Sequence, residues 1–203
     1  MAPRVVQGRA EEQVPVLNIA NVLTIARIVL VPLFVLALFA EGGHDTRWRI
    51  IAAAVFGLAA ITDRFDGQLA RKYGLVTDFG KLADPIADKA LIGSALIGLS
   101  ILGDLPWWIT VVIVGRELGI TLLRLVVVRH GVIPAGRGGK LKTLVQSIAI
   151  ALLLLPLSGA FATAGMVLMY VAVALTVITG LDYVGQAARL WLAGRRARGE
   201  SRS

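Results

Sequence analysis

Residues 50–102 read IIAAAVFGLAAITDRFDGQLARKYGLVTDFGKLADPIADKALIGSALIGLSIL, two apolar runs (50–61 and 91–102) with five aspartates between them. Asp63 and Asp66 stand three residues apart at the end of the first run, and Asp84 and Asp88 stand four apart at the start of the second. Either spacing sets both carboxylates of a pair on one helix face. The stretch 67–80 turns the chain back, so the two faces can meet. Five of the chain's 13 acidic residues fall within the 26 positions 63–88. The acids are gathered at one place, where a solvated surface would spread them.

The rest of the chain explains what surrounds that place. Of 203 residues, 57% are hydrophobic and only 17% charged, and the mean hydropathy is +0.77. That is too little charge to cover a soluble surface. It excludes a disordered chain, a coiled coil and almost any soluble enzyme. No cysteine is present, which excludes a disulfide framework, a thiolate zinc site and a cysteine nucleophile. Four further apolar runs lie at 19–40, 107–128, 141–157 and 162–184. A bilayer core needs about 20 helical residues, and turn residues such as Glu41-Gly42-Gly43 and Ser158-Gly159 separate the runs. The expected fold is an all-α integral membrane protein with six transmembrane helices over residues 16–193. An N-terminal arm, 1–15, precedes them, and an unstructured Arg-rich tail, 194–203, follows. Glu11 and Glu12 interrupt the basic N-terminal segment and no small-residue cleavage pattern follows, so the first run reads as a retained helix.

Basic residues set the orientation. With the N-terminus inside, the outer loops hold only Arg47 and Arg49, while Arg64, Arg71, Lys72, Lys81, Lys89, Arg129, Arg137, Lys140, Lys142 and the tail arginines lie inside. This asymmetry puts both termini and the acids on the cytoplasmic side. The net charge of +8 then points to an anionic membrane surface or a phosphate-bearing substrate, with no nucleic acid as partner.

Four carboxylates converging at a membrane edge repel one another and are poorly solvated, and ionisable groups there are usually functional. Hard divalent cations with oxygen ligands neutralise such a set. Two ions about 3.5–4 Å apart form the clamp used for displacement at phosphorus. A single aspartate near a helix end is as easily a cap, whereas two pairs on consecutive helices are not. Asp78, outside either pair, reads as a loop residue. Gly67 beside Asp66 lets a ligand approach the backbone closely.

The string Asp63-x2-Asp66-Gly67-x2-Ala70-Arg71-x8-Gly80-x3-Asp84-x3-Asp88 resembles, at every fixed position, the signature of the CDP-alcohol phosphotransferase family. The resemblance implies a six-helix membrane homodimer of the bacterial cell membrane. It implies that an alcohol hydroxyl attacks the β-phosphorus of a CDP-linked lipid and releases CMP, at a site holding two Mg2+ or Mn2+ ions. By the same resemblance Asp63, Asp66 and Asp84 are metal ligands, and Asp88 is the base while lying at the metal site. Asp66, Gly67, Ala70, Arg71 and Gly80 take the CDP-lipid.

A finer resemblance concerns the acceptor. Asn18-Ile-Ala-Asn21-x2-Thr24-x2-Arg27, Ala83-Asp-Pro-Ile-Ala-Asp-Lys89, Arg116-Glu117-x6-Arg124 and Gly139-Lys140-x-Lys142-Thr143-x2-Gln146 are similar to the branch that uses sn-glycerol 3-phosphate with CDP-diacylglycerol. It implies that Arg116, Arg124, Lys140 and Lys142 hold the acceptor's phosphate. Read without the family, Arg124, Lys140 and Lys142 are equally basic flanks of apolar helices. Arg116 and Glu117 are sequence neighbours and so do not automatically face each other. Asn21, Thr24 and Arg27 either line the nucleotide side or pack. Inositol phosphate and phosphatidylglycerol are the rival acceptors. An intramembrane prenyltransferase would carry its second acidic motif much farther along the chain, and a transporter would want polar groups through the bilayer depth. His44 and His130 are isolated and take no catalytic part.

Overall fold

A computed structural model describes residues 18–73, 77–127 and 137–200, with the backbone alone described at 20, 64–72, 78, 81, 124–127, 137, 138, 140 and 190–200. The expected N-terminal arm lies outside these residues. The described chain is all-helical: α1 (Ile19–Phe39), α2 (Thr46–Tyr73), α3 (Asp78–Ile101), α4 (Trp107–Val127), α5 (Arg137–Leu154) and α6 (Ala160–Glu200). A 3-10 turn, Ala40–Gly43, joins α1 to α2.

Local chemistry starts and stops these helices. The Asn18 side chain caps α1 by accepting from Asn21 N at 3.0 Å. Asp45 Oδ1 accepts from Arg47 N and Trp48 N at 3.0 and 3.1 Å and so opens α2, while Thr77 caps α3. Each cap satisfies an amide that has no partner within its helix. The turn after α1 needs left-handed backbone at Gly43 (φ 80), where an added Cβ would lie 2.3 Å from Leu102 Cδ2.

Helix α1 packs along both α2 and α3, while α6 packs on α5 and α4. Between them lies a core that includes Phe34, Leu38, Phe56, Leu96, Ile113 and Ile150, all buried. The Phe34 and Phe56 rings meet at 5.8 Å and 54°, within the range favoured by aromatic pairs. At the end of the bundle away from the acids, buried Arg49 donates to Asp104 Oδ2 at 2.6 Å and to the Leu153 carbonyl at 2.8 Å. That clamp ties α2, the α3–α4 turn and the end of α5 together.

Several sequence expectations change. The stretch 67–80 is not all turn: α2 continues through Gly67, Ala70 and Arg71 to Tyr73, and Asp78 opens α3. The basic tail, expected to be unstructured, is helical as far as Glu200. Among the described residues, two of the six runs belong to helices long and apolar enough to cross a membrane, Asn21–Gly43 and Ala160–Arg189. Helices α2, α3 and α4 carry Asp63, Asp84, Asp88, Arg116 and Glu117 within their lengths, and the apolar part of α5, Leu141–Leu154, is shorter. Outward-facing Leu36, Leu122, Phe161 and Leu181 give the bundle an apolar exterior.

Candidate active site

Three helices meet at the acids. Helix α1 presents Asn21, Thr24 and Arg27 at three-residue spacing along one stripe, and all three are buried. Arg27, 0% exposed, sets Nη1 2.6 Å from Asp63 Oδ1 on α2. Thr24 Oγ1 donates to Asp84 Oδ1 on α3 at 2.5 Å. Thr77 Oγ1 accepts from Gly80 N at 3.1 Å and donates to Asn21 Oδ1 at 2.9 Å. The first-helix residues therefore border the acid cluster, and two of them hold its carboxylates. Gly80 faces the same rung: a Cβ there would lie 3.0 Å from Asn21 Oδ1 and 3.4 Å from Thr77 Oγ1. Its missing side chain lets α1 close on the start of α3.

The carboxylates act on one another electrostatically. Asp63 repels Asp84 and Asp88, and Arg27 attracts both Asp63 and Asp88. Lys89 offsets Asp88 further, and Glu117 of α4 adds repulsion from the far side. Of the four acids expected to converge across α2 and α3, Asp63 lies within electrostatic reach of both Asp84 and Asp88. Asp66, Gly67, Ala70 and Arg71 lie on α2 with side chains outside the described part.

Asp88 also borders a cavity that opens between α3, α4 and α5. Lys89, Gly93, Glu117, Lys142, Thr143 and Gln146 contribute to its walls, with Ile92, Leu96, Ile113 and Val114 beneath. Its volume is about 80 Å³. One water needs about 10–15 Å³ by this measure, so there is room for a small polyatomic group.

The basic residues assigned to the acceptor's phosphate divide. Lys142 lines the cavity and is hydrogen-bonded to Glu117 Oε1. Arg116 donates to the same oxygen at 2.9 Å and to Thr179 Oγ1 of α6 at 3.1 Å. Its stem lies against Gly180, where a Cβ would be 3.2 Å from Arg116 Cγ. Arg116 and Glu117 do form an ion pair, because the long guanidinium arm curls round the helix to its neighbour. The side chains of Arg124 and Lys140 lie outside the described part.

Residues 17–178 match the CDP-alcohol phosphatidyltransferase family. The chain belongs to this family. It is 61% identical over 184 residues to a probable phosphatidylglycerophosphate synthase of Mycobacterium tuberculosis, covering 91% of this chain and 86% of the relative. It is 40% identical to the CDP-diacylglycerol–glycerol-3-phosphate 3-phosphatidyltransferase of Bacillus subtilis (82% of this chain, 93% of the relative). The Escherichia coli protein of that name is 36% identical (84% and 94%).

The carboxylate oxygens of Asp63, Asp84 and Asp88 are hard donors, the type that divalent cations such as Mg2+ and Mn2+ take. Among the described residues no three acidic or histidine side chains are gathered closely enough to hold a metal ion. In this arrangement Arg27 holds Asp63 and Thr24 holds Asp84. Sequence reasoning gave no role to Glu117, the shared partner of Arg116 and Lys142. The signal was its position as the single acid within α4.

Proposed function

We propose that this chain transfers the phosphatidyl group of CDP-diacylglycerol to sn-glycerol 3-phosphate, forming phosphatidylglycerophosphate and CMP. One observation carries the reading: Asp88 belongs electrostatically to the α2–α3 acid cluster and also walls a cavity shared with Lys142. A base is thereby set between a nucleotide-lipid side and a side suited to a phosphorylated alcohol. The names of the relatives support this substrate pair.

The acceptor's primary hydroxyl oxygen attacks the β-phosphorus as Asp88 takes the hydroxyl proton. The bond from that phosphorus to the bridging oxygen breaks, and CMP departs with the electron pair. Asp63, Asp66, Asp84 and Asp88 would hold two divalent cations, Mg2+ or Mn2+, which when bound draw negative charge off the diphosphate. Asp66, Gly67, Ala70, Arg71 and Gly80 take the nucleotide lipid, Arg71 pairing with its diphosphate. Lys142, Arg116, Arg124 and Lys140 serve the acceptor's phosphate, and Glu117 steadies Lys142 at the cavity wall. Arg27 fixes Asp63, and Thr24 fixes Asp84.

All six helices cross the cell membrane in this reading, with both termini and the acids cytoplasmic, and two copies form a homodimer. The apolar exterior and the two clear spans support the membrane part. The test is CMP release from CDP-diacylglycerol by purified protein with glycerol 3-phosphate, inositol phosphate or phosphatidylglycerol, each with and without Mg2+ or Mn2+. Release with glycerol 3-phosphate and a cation alone is expected. Release with another acceptor in its place reassigns the alcohol, and no release with any of them sinks the reading.

A further inference from the structure

On α5, Gln146 follows Lys142 by four residues, so both project from one helix face, and both line the cavity that Asp88 borders. Gln146 is only 2% exposed, yet among the described residues its Oε1 has no hydrogen-bond partner. Buried side-chain oxygens are nearly always satisfied, and an exception calls for a group that completes it. Lys142, one turn away on the same face, turns toward Glu117 and gives this oxygen no hydrogen bond.

The acceptor has three polar parts: a phosphate, the primary hydroxyl that reacts, and a secondary hydroxyl that does not. Lys142 suits the first and Asp88 the second. A neutral amide oxygen suits the third, since it accepts from a hydroxyl without adding a negative charge beside Asp88 and Glu117. We propose that Gln146 Oε1 accepts a hydrogen bond from the acceptor's non-reacting hydroxyl. The enzyme thereby selects a vicinal diol phosphate over a simple hydroxyalkyl phosphate. This assignment rests on the acceptor reading above and makes Gln146 a specificity-determining residue.

The experiment compares kcat/KM for sn-glycerol 3-phosphate with that for 3-hydroxypropyl phosphate, which keeps the phosphate and the primary hydroxyl but lacks the secondary one. The wild type is expected to prefer glycerol 3-phosphate by about tenfold or more. In Gln146→Met the preference falls to within about twofold, through loss with glycerol 3-phosphate alone. Gln146→Asn, which keeps the amide but withdraws it by one methylene, loses the preference too and guards against a poorly folding first variant. No preference in the wild type overturns the assignment, as does an equal loss with both acceptors in the variants. Failure of the wild type to use either acceptor overturns the acceptor reading and this assignment with it.

Discussion

Replacing Arg27 by leucine removes the fully buried guanidinium that faces Asp63 at 2.6 Å and keeps an apolar stem of similar bulk. Removing one partner of a buried ion pair costs about 3–5 kcal/mol when the other stays dry. Here the Asp63 side chain is 41% exposed, so water recovers part of the loss and about 2 kcal/mol remains. For a chain of this size each kcal/mol moves the midpoint by about 2–4 °C, giving a drop of about 4–8 °C. The assay is thermal unfolding in detergent, followed by the fluorescence of the four tryptophans. Arg27→Lys falls in between, since it restores charge but not the planar fork. Added Mg2+ restores more of the loss in Arg27→Leu than it adds to the wild type, because a cation replaces the missing positive charge. A variant that melts within about 1 °C of the wild type, with an unchanged Mg2+ response, refutes the account of Arg27 as counter-charge to the cluster.

Asp88→Asn lowers the rate of CMP release by about 10²–10⁴-fold while binding of the nucleotide lipid persists, as separate turnover and binding measurements will show. Lys142→Met raises KM for glycerol 3-phosphate by about tenfold or more, with KM for CDP-diacylglycerol nearly unchanged; an equal rise in both would make Lys142 structural. Gly98→Ala places a Cβ 2.4 Å from Leu38 Cδ2, and Leu38 is too buried to swing clear, so about 1–3 kcal/mol of stability is lost and the melting midpoint falls. Arg49→Leu strips a donor from both Asp104 and the Leu153 carbonyl; it lowers the melting midpoint but leaves KM for both substrates unchanged.

Helices α1 and α6 were legible because each holds an apolar run of spanning length, which no soluble surface would tolerate. The far half of α2 was not: residues 62–73 are too polar to extend an apolar run, yet Gln68, Leu69, Ala70, Arg71 and Lys72 are good helix formers, and the helix simply continues through them. The same chemistry carries α6 past Val184 into its Ala- and Arg-rich end. Thr77 followed by Asp78 is also a cap and first-turn pattern, and it opens α3, but a lone aspartate after a turn fits a loop equally well. In the site, the helical spacing of the aspartates was readable because periodicity is local. The bonds from Arg27 to Asp63 and from Thr24 to Asp84 span 36 and 60 positions, and no local pattern reports contacts of that range. Glu117 escaped because neighbouring positions on a helix diverge, a rule that holds for short side chains and fails for arginine.

The rung of Asn21, Thr24 and Arg27 gives the first helix a second duty. An anchor needs only length and greasiness, and many unrelated segments would hold this chain in a bilayer equally well. Swapping α1 for such a segment would leave the protein inserted but strip Asp63 and Asp84 of the side chains that hold them. Shifting the helix by a single residue would swing that polar stripe through about 100° and away from the acids. The insertion signal and the chemistry are written in the same twenty-odd residues, so neither can drift without the other.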